Sequence, residues 1–140
     1  MLIVHLTNKC NQNCLFCNRP PDKLDIDKEE VKKKIIEAIK KKNSTLFFNG
    51  GEPSIRKDII ELVSFAKSKG MKRAEIVTNG LMFSNNDFMK KIKTAGLDKV
   101  SLSMHSLIPE VENKLAQRKD RYKLLEKALG NLEQENMPIL

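Results

Sequence analysis

Short apolar runs alternate with amphipathic stretches along the whole of this 140-residue chain, and that alternation restricts its fold more than any other feature. The first run, Leu2-Ile3-Val4-His5-Leu6, reads as a strand over residues 2–7. Thr45-Leu46-Phe47-Phe48 is a short unbroken apolar strand, as expected when both faces of a sheet are covered. Ala74-Glu75-Ile76-Val77-Thr78 and residues 99–104 supply two more, and Met137-Pro138-Ile139-Leu140 opens a fifth. Between these runs the apolar residues recur at helical spacing. Asp27 followed by Glu30 resembles a capping box, opening a helix over about residues 28–42 with Val31, Ile35, Ala38 and Ile39 as its stripe. Asn43-Ser44 stops it. A second helix, about 57–69, carries Ile59, Leu62, Val63 and Ala66 and ends at Gly70. A third, about 85–95, buries Phe88, Ile92 and Ala95 and stops at Gly96. After Pro109 comes a short helical segment around Val111 and Leu115, then a longer helix, about 121–135, with Tyr122, Leu125, Leu129 and Leu132 in phase.

This is an α/β chain of four βα units and the start of a fifth. Such alternation with short connections implies a parallel sheet joined by right-handed crossovers. The pattern leaves a barrel and an open doubly wound sheet equally open. The length suits one domain with a real core. With 31% charged and 40% hydrophobic residues the chain reads as globular rather than disordered. No apolar run approaches the roughly 18–20 residues of a membrane span, and no signal peptide is visible. The formal charge of +8 raises a nucleic-acid partner. Much of the excess sits in Lys32, Lys33, Lys34, Lys40, Lys41 and Lys42 on a helix's outer face, and one Tyr with no Trp offers little for base stacking. A solvated lysine face is the better account.

The chemistry is concentrated in Cys10-Asn11-Gln12-Asn13-Cys14-Leu15-Phe16-Cys17, directly after the first strand. These are the only three cysteines in the chain. An odd count in one tight cluster argues against a disulfide framework and for a reducing, cytoplasmic setting. Thiolates this close can converge on zinc, Cu(I) or an iron–sulfur centre. A structural zinc site takes four ligands, which His5 or a partner would have to complete. A cluster held by three cysteines leaves one iron without a protein ligand, which is a place for chemistry. Further along, Gly50-Gly51-Glu52-Pro53, Thr78-Asn79-Gly80 and Ser101-Leu102-Ser103-Met104-His105 end successive strands. Each alone is an ordinary turn or strand terminus.

Taken together and in order, these four stretches resemble the radical S-adenosylmethionine (radical SAM) superfamily. The resemblance implies a partial TIM-type barrel of six βα units with its cofactors at the C-terminal ends of the strands. Against that pattern residues 1–140 read as a core domain incomplete at its C-terminus. It further implies that Cys10, Cys14 and Cys17 ligate a 4Fe-4S cluster whose fourth iron chelates the methionine end of S-adenosyl-L-methionine. Reduction of the sulfonium then yields a 5′-deoxyadenosyl radical that abstracts hydrogen from a substrate. On the same basis Glu52, in the turn with Gly50 and Gly51, accepts hydrogen bonds from the cofactor's ammonium group. Ser103, His105 and Asn79 meet the ribose or the carboxylate. Phe16 lies beside the adenine or, equally, packs in the core. Many family members carry an acidic residue where this chain has His105-Ser106, so the ribose contacts depart from the common pattern. The implied partners are a flavodoxin or ferredoxin as electron donor and a peptide or small-molecule substrate rather than RNA. A non-catalytic zinc module, or an inactive relative of these enzymes, remains the alternative.

Overall fold

In the computed structural model, which describes residues 1–18, 22 and 24–140, strands and helices alternate as the periodicity requires. The elements are β1 (Leu2–Thr7), α1 (Lys28–Lys40), β2 (Thr45–Gly50), α2 (Ile59–Ser68), β3 (Arg73–Thr78), α3 (Asn86–Thr94), β4 (Lys99–Leu102), α4 (Pro109–Leu115) and α5 (Arg121–Gln134). Arg19, Pro20 and Pro21, which follow the cysteine stretch, lie outside the described residues.

All strand pairs are parallel, in the order β1-β2-β3-β4. Sequential order without reversal is the winding of a barrel, whereas a doubly wound sheet doubles back at a switch point. The choice that the pattern alone left open is thereby made. The chain after α5 returns to the sheet: Val100 donates to the Pro138 carbonyl and Leu140 to the Val100 carbonyl, both at 2.9 Å, forming a parallel bridge at Ile139. The expected fifth strand begins there.

Strand alternation divides the side chains. Val4, Leu6, Leu46, Phe48, Ala74, Ile76 and Val100 point towards the helices and form the core with Val31, Ile35, Ile59, Leu62, Val63, Met89 and Ile92. Ile3 and Val77 point the other way and are exposed. Asp27 caps α1, accepting from the Glu29 and Glu30 amides, while the Glu30 carboxylate pairs with Lys34 rather than closing a reciprocal box. The helix ends at Lys40, two residues before the end expected from the Asn43-Ser44 stop, because Lys42 turns into the left-handed region at φ 59°.

Three expectations shift. In α3, Met89 and Ile92 are buried, whereas Phe88 and Ala95 pack at the core's margin. In α4, Val111 is exposed and Glu112 is buried. In α5 the buried set includes Arg121 and Asn131, and Tyr122 and Leu129 lie at the edge. Asn131 donates to the Phe83 carbonyl at 2.9 Å, whereas Glu112 and Arg121 turn inward for reasons that lie in the site.

Phe48 is wholly buried in the middle of the core. Its replacement by Ala should cost about 3–5 kcal/mol, from lost transfer energy and the cavity left behind. The urea midpoint of Phe48→Ala against wild type measures this.

Candidate functional site

The C-terminal ends of the four strands meet around one cavity of about 230 Å³. Cys10, Cys14, Phe16 and Cys17 reach it from the loop after β1, and Gly50 and Gly51 from the end of β2. Asn79 follows β3, and Ser103 and His105 follow β4. Residues far apart in sequence meet here: Asn79 Nδ2 donates to Asn11 Oδ1 at 2.8 Å and lies 3.7 Å from Cys10 Sγ. Of the site residues anticipated from the sequence, Glu52 is the one that does not line the cavity.

Close backbone approach brings β2 to the cysteine loop. The Gly51 amide donates to the Thr7 carbonyl at 2.6 Å and the Glu52 amide to the Lys9 carbonyl at 2.8 Å. A Cβ on Gly51 would stand 2.4 Å from the Lys9 carbonyl oxygen and 2.7 Å from that of Asn8. Gly50 adopts φ 142° with the Thr7 carbonyl oxygen equally near. Both obstacles are main chain and cannot step aside, so only glycine fits.

Glu52 works from beneath. It is wholly buried. Its Oε1 accepts from the Ser54 amide at 3.0 Å, the Ser54 hydroxyl and the Thr78 hydroxyl at 2.7 Å, and Oε2 accepts from the Asn79 amide at 2.6 Å. The carboxylate thus ties the end of β2 to the end of β3 and presents Gly50, Gly51 and Asn79 to the cavity. Burial pushes its pKa above the usual carboxylate value, against the pull of these four donors.

The three thiols influence one another. Burial raises the Cys14 pKa, the neighbouring Cys10 and Cys17 raise it further, and the Arg121 guanidinium opposes them. Among the described residues no three His, Cys, Asp or Glu side chains already stand at metal-bonding spacing. The donor set itself, three sulfurs on one loop facing one cavity, fits a soft metal centre. Phe16 does not pack in the core: half exposed, it stands edge-on to the His105 ring with centroids 4.4 Å apart. His5 directs Nε2 to Asn8 Oδ1 at 2.5 Å and is not part of the cavity wall, so it is no ready fourth ligand for zinc.

Two residues escaped the sequence reading. Arg121 lines the cavity, and its Nε donates to Glu112 Oε1 at 3.1 Å with both side chains almost wholly buried. Nothing in a chain with 26 Lys and Arg singles out this one. The available signal was Glu112 falling on the inward phase of α4 beside exposed Val111, which is legible only once the helix's buried side is known.

A sequential parallel sheet with three cysteines and a glycine-rich strand end around one cavity defines a cofactor-dependent α/β-barrel protein. Residues 4–140 match the Radical SAM superfamily. The chain belongs to that family, whose members combine a 4Fe-4S cluster with S-adenosylmethionine. It is 34% identical over 120 residues to a probable GTP 3′,8-cyclase of Methanocaldococcus jannaschii, covering 81% of this chain and 39% of the relative. It is 31% identical over 143 residues to the Fe-coproporphyrin III synthase of Methanosarcina barkeri, covering 99% and 35%. The chain therefore spans well under half of either relative's length. Solved structures with the same fold include methylornithine synthase, with TM-score 0.77 and 19% identity over 99% of this chain and 42% of that one. The anSMEcpe protein with bound AdoMet and a Cp18Cys peptide matches with TM-score 0.81 and 18% identity, over 99% and 41%. Among the described residues no helix is long and apolar enough to cross a membrane.

The Glu52 network makes a two-part prediction. Glu52→Gln turns an amide towards the Asn79 N–H, and the resulting unpaired donors should cost about 1–3 kcal/mol. A carboxyl whose folded-state pKa lies above its unfolded value contributes stability that is complete below the unfolded value of about 4.5 and lost as pH rises through the folded one. The stability difference between wild type and Glu52→Gln should therefore shrink from pH 4.5 towards neutrality, as followed by urea denaturation of both proteins.

Proposed function

We propose that this chain is the cofactor-binding part of a radical SAM enzyme, in which Cys10, Cys14 and Cys17 hold a 4Fe-4S cluster and the adjoining cavity takes S-adenosylmethionine. The observation that carries this reading is that all three cysteines share one cavity with Gly50, Gly51, Asn79, Ser103 and His105. When bound, the cluster and S-adenosylmethionine supply reductive cleavage of the sulfonium and a radical able to abstract hydrogen. The protein's part is to hold and orient. The backbone at Gly50 and Gly51 is close enough to a ligand to offer its own polar groups. Asn79 and Ser103 offer an amide and a hydroxyl from the ends of β3 and β4, and His105 braces Phe16, whose exposed ring is free to cover a flat group such as adenine. Glu52 supports the floor through Thr78 and Asn79.

A flavodoxin or ferredoxin would supply the electron in a reducing cytoplasm. The substrate is a small molecule or a peptide. The named relatives at 31–34% identity concern GTP and a coproporphyrin, whereas the peptide-bound anSMEcpe structure is 18% identical, which favours a small molecule.

Anaerobic reconstitution of the full chain with iron and sulfide should give a brown protein with about four irons per chain. Its reduced electron paramagnetic resonance spectrum should change when S-adenosylmethionine is added. Cys14→Ala should lose both the colour and the response. A colourless wild type that retains one zinc per chain would overturn the reading in favour of a structural metal module.

A further inference from the structure

The parallel ladder between β3 and β4 ends where the Ser103 amide donates to the Thr78 carbonyl at 2.9 Å. The last registered pair of these strands is Thr78 with Leu102, and the next main-chain groups have no partner on the neighbouring strand. The buried pair Arg121–Glu112 takes them. Arg121 Nη1 donates to the Asn79 carbonyl and Nη2 to the Ser103 carbonyl at 2.5 Å, while Nε holds Glu112 Oε1. Glu112 Oε2 accepts from the amides of His105 and Ser106, each at 2.9 Å. One guanidinium and one carboxylate, delivered by α5 and α4, thus hold two carbonyls and two amides that flank the polar residues of the cavity wall.

A purely structural contact between α4, α5 and the sheet would not need buried charge. Taking both ions out of water costs free energy that their attraction recovers only with good geometry, and apolar pairs of similar volume often serve stability as well. What an apolar pair lacks is direction. The planar fork of arginine fixes the two carbonyls relative to one another, and the carboxylate fixes the two amides.

We propose that Arg121 and Glu112 are positioning residues for S-adenosylmethionine. By pinning the main chain at Asn79, Ser103, His105 and Ser106 where the β-ladder stops, they aim the side chains of Asn79, Ser103 and His105 at the bound cofactor. This rests on the functional reading above, and the experiment separates the two. Arg121→Lys keeps the charge but loses the fork, and Glu112→Gln keeps the volume but loses the ion pair. Both, with wild type, are followed by amide hydrogen exchange without cofactor, by iron content after reconstitution, and by equilibrium dialysis of labelled S-adenosylmethionine.

The expected result is wild-type iron content in both variants and exchange at His105 and Ser106 at least about tenfold faster in Glu112→Gln, as local protection is lost. Affinity for S-adenosylmethionine should fall about tenfold or more in each variant, the loss of one or more buried hydrogen bonds. In an Asn79→Ala, Ser103→Ala background the same Arg121→Lys change should cost about twofold or less, because residues that act through one another are not additive. Undiminished affinity in Arg121→Lys, or an unreduced loss in that background, overturns the assignment. If the single variants do not fold, the apolar double variant Arg121→Met, Glu112→Leu replaces them, and full affinity in that protein overturns it too. A wild type that loads iron, protects His105 and Ser106, and binds no S-adenosylmethionine overturns the functional reading along with this one.

Discussion

The close approach of two main-chain segments governs everything else at this site. At Gly50 and Gly51 the end of β2 lies so near Thr7, Asn8 and Lys9 that no side chain fits between them. The Gly51 and Glu52 amides bond directly to the carbonyls of Thr7 and Lys9, just before Cys10. The cysteine loop is therefore seated on the sheet by backbone hydrogen bonds rather than by packing of its own exposed side chains. A loop with Leu15, Phe16 and Cys17 all exposed has little hydrophobic reason to adopt one position. The glycines give it one.

Two buried carboxylates continue that seating around the strand ends. Glu52 joins β2 to β3, and Glu112 with Arg121 joins β3 to β4 and both to α4 and α5. Each carboxylate spends its oxygens mainly on main-chain amides and hydroxyls. This is the arrangement that makes a charge tolerable in a low-dielectric interior. The consequence is a rim whose shape is set by directional bonds. The core beneath it, built from Val4, Leu46, Phe48, Ile76 and the helices, supplies adhesion without direction. The division suits a protein that must present polar groups at fixed angles above an apolar foundation.

Much of this was legible in the sequence, and what was not follows a physical pattern. The strands, the helices and the cluster of cysteines announce themselves through local periodicity and spacing. So did Gly50, Gly51, Asn79, Ser103 and His105 of the cavity wall, because glycines, Asn-Gly and Ser-x-His at the ends of apolar runs are local signals. Met89 in place of Phe88, and exposed Val111 beside buried Glu112, were misjudged, since a short helix's inward face is chosen by its neighbours. The family resemblance implies that Glu52 meets the cofactor's ammonium group. The structure turns its oxygens to Ser54, Thr78 and Asn79, partners that only the folded strand ends bring within reach.

By itself the sequence determined the order and type of the elements, the parallel winding and the place of the thiols, because each depends on residues a few positions apart. The tertiary structure alone decided between barrel and doubly wound order. It also decided which charges go inside and that Arg121 would span the ends of β3 and β4. Those outcomes depend on contacts such as Arg121 with Asn79, 42 residues apart, where no local pattern records the encounter. Burying a charge is favourable only when every partner arrives together, and only the complete fold assembles them.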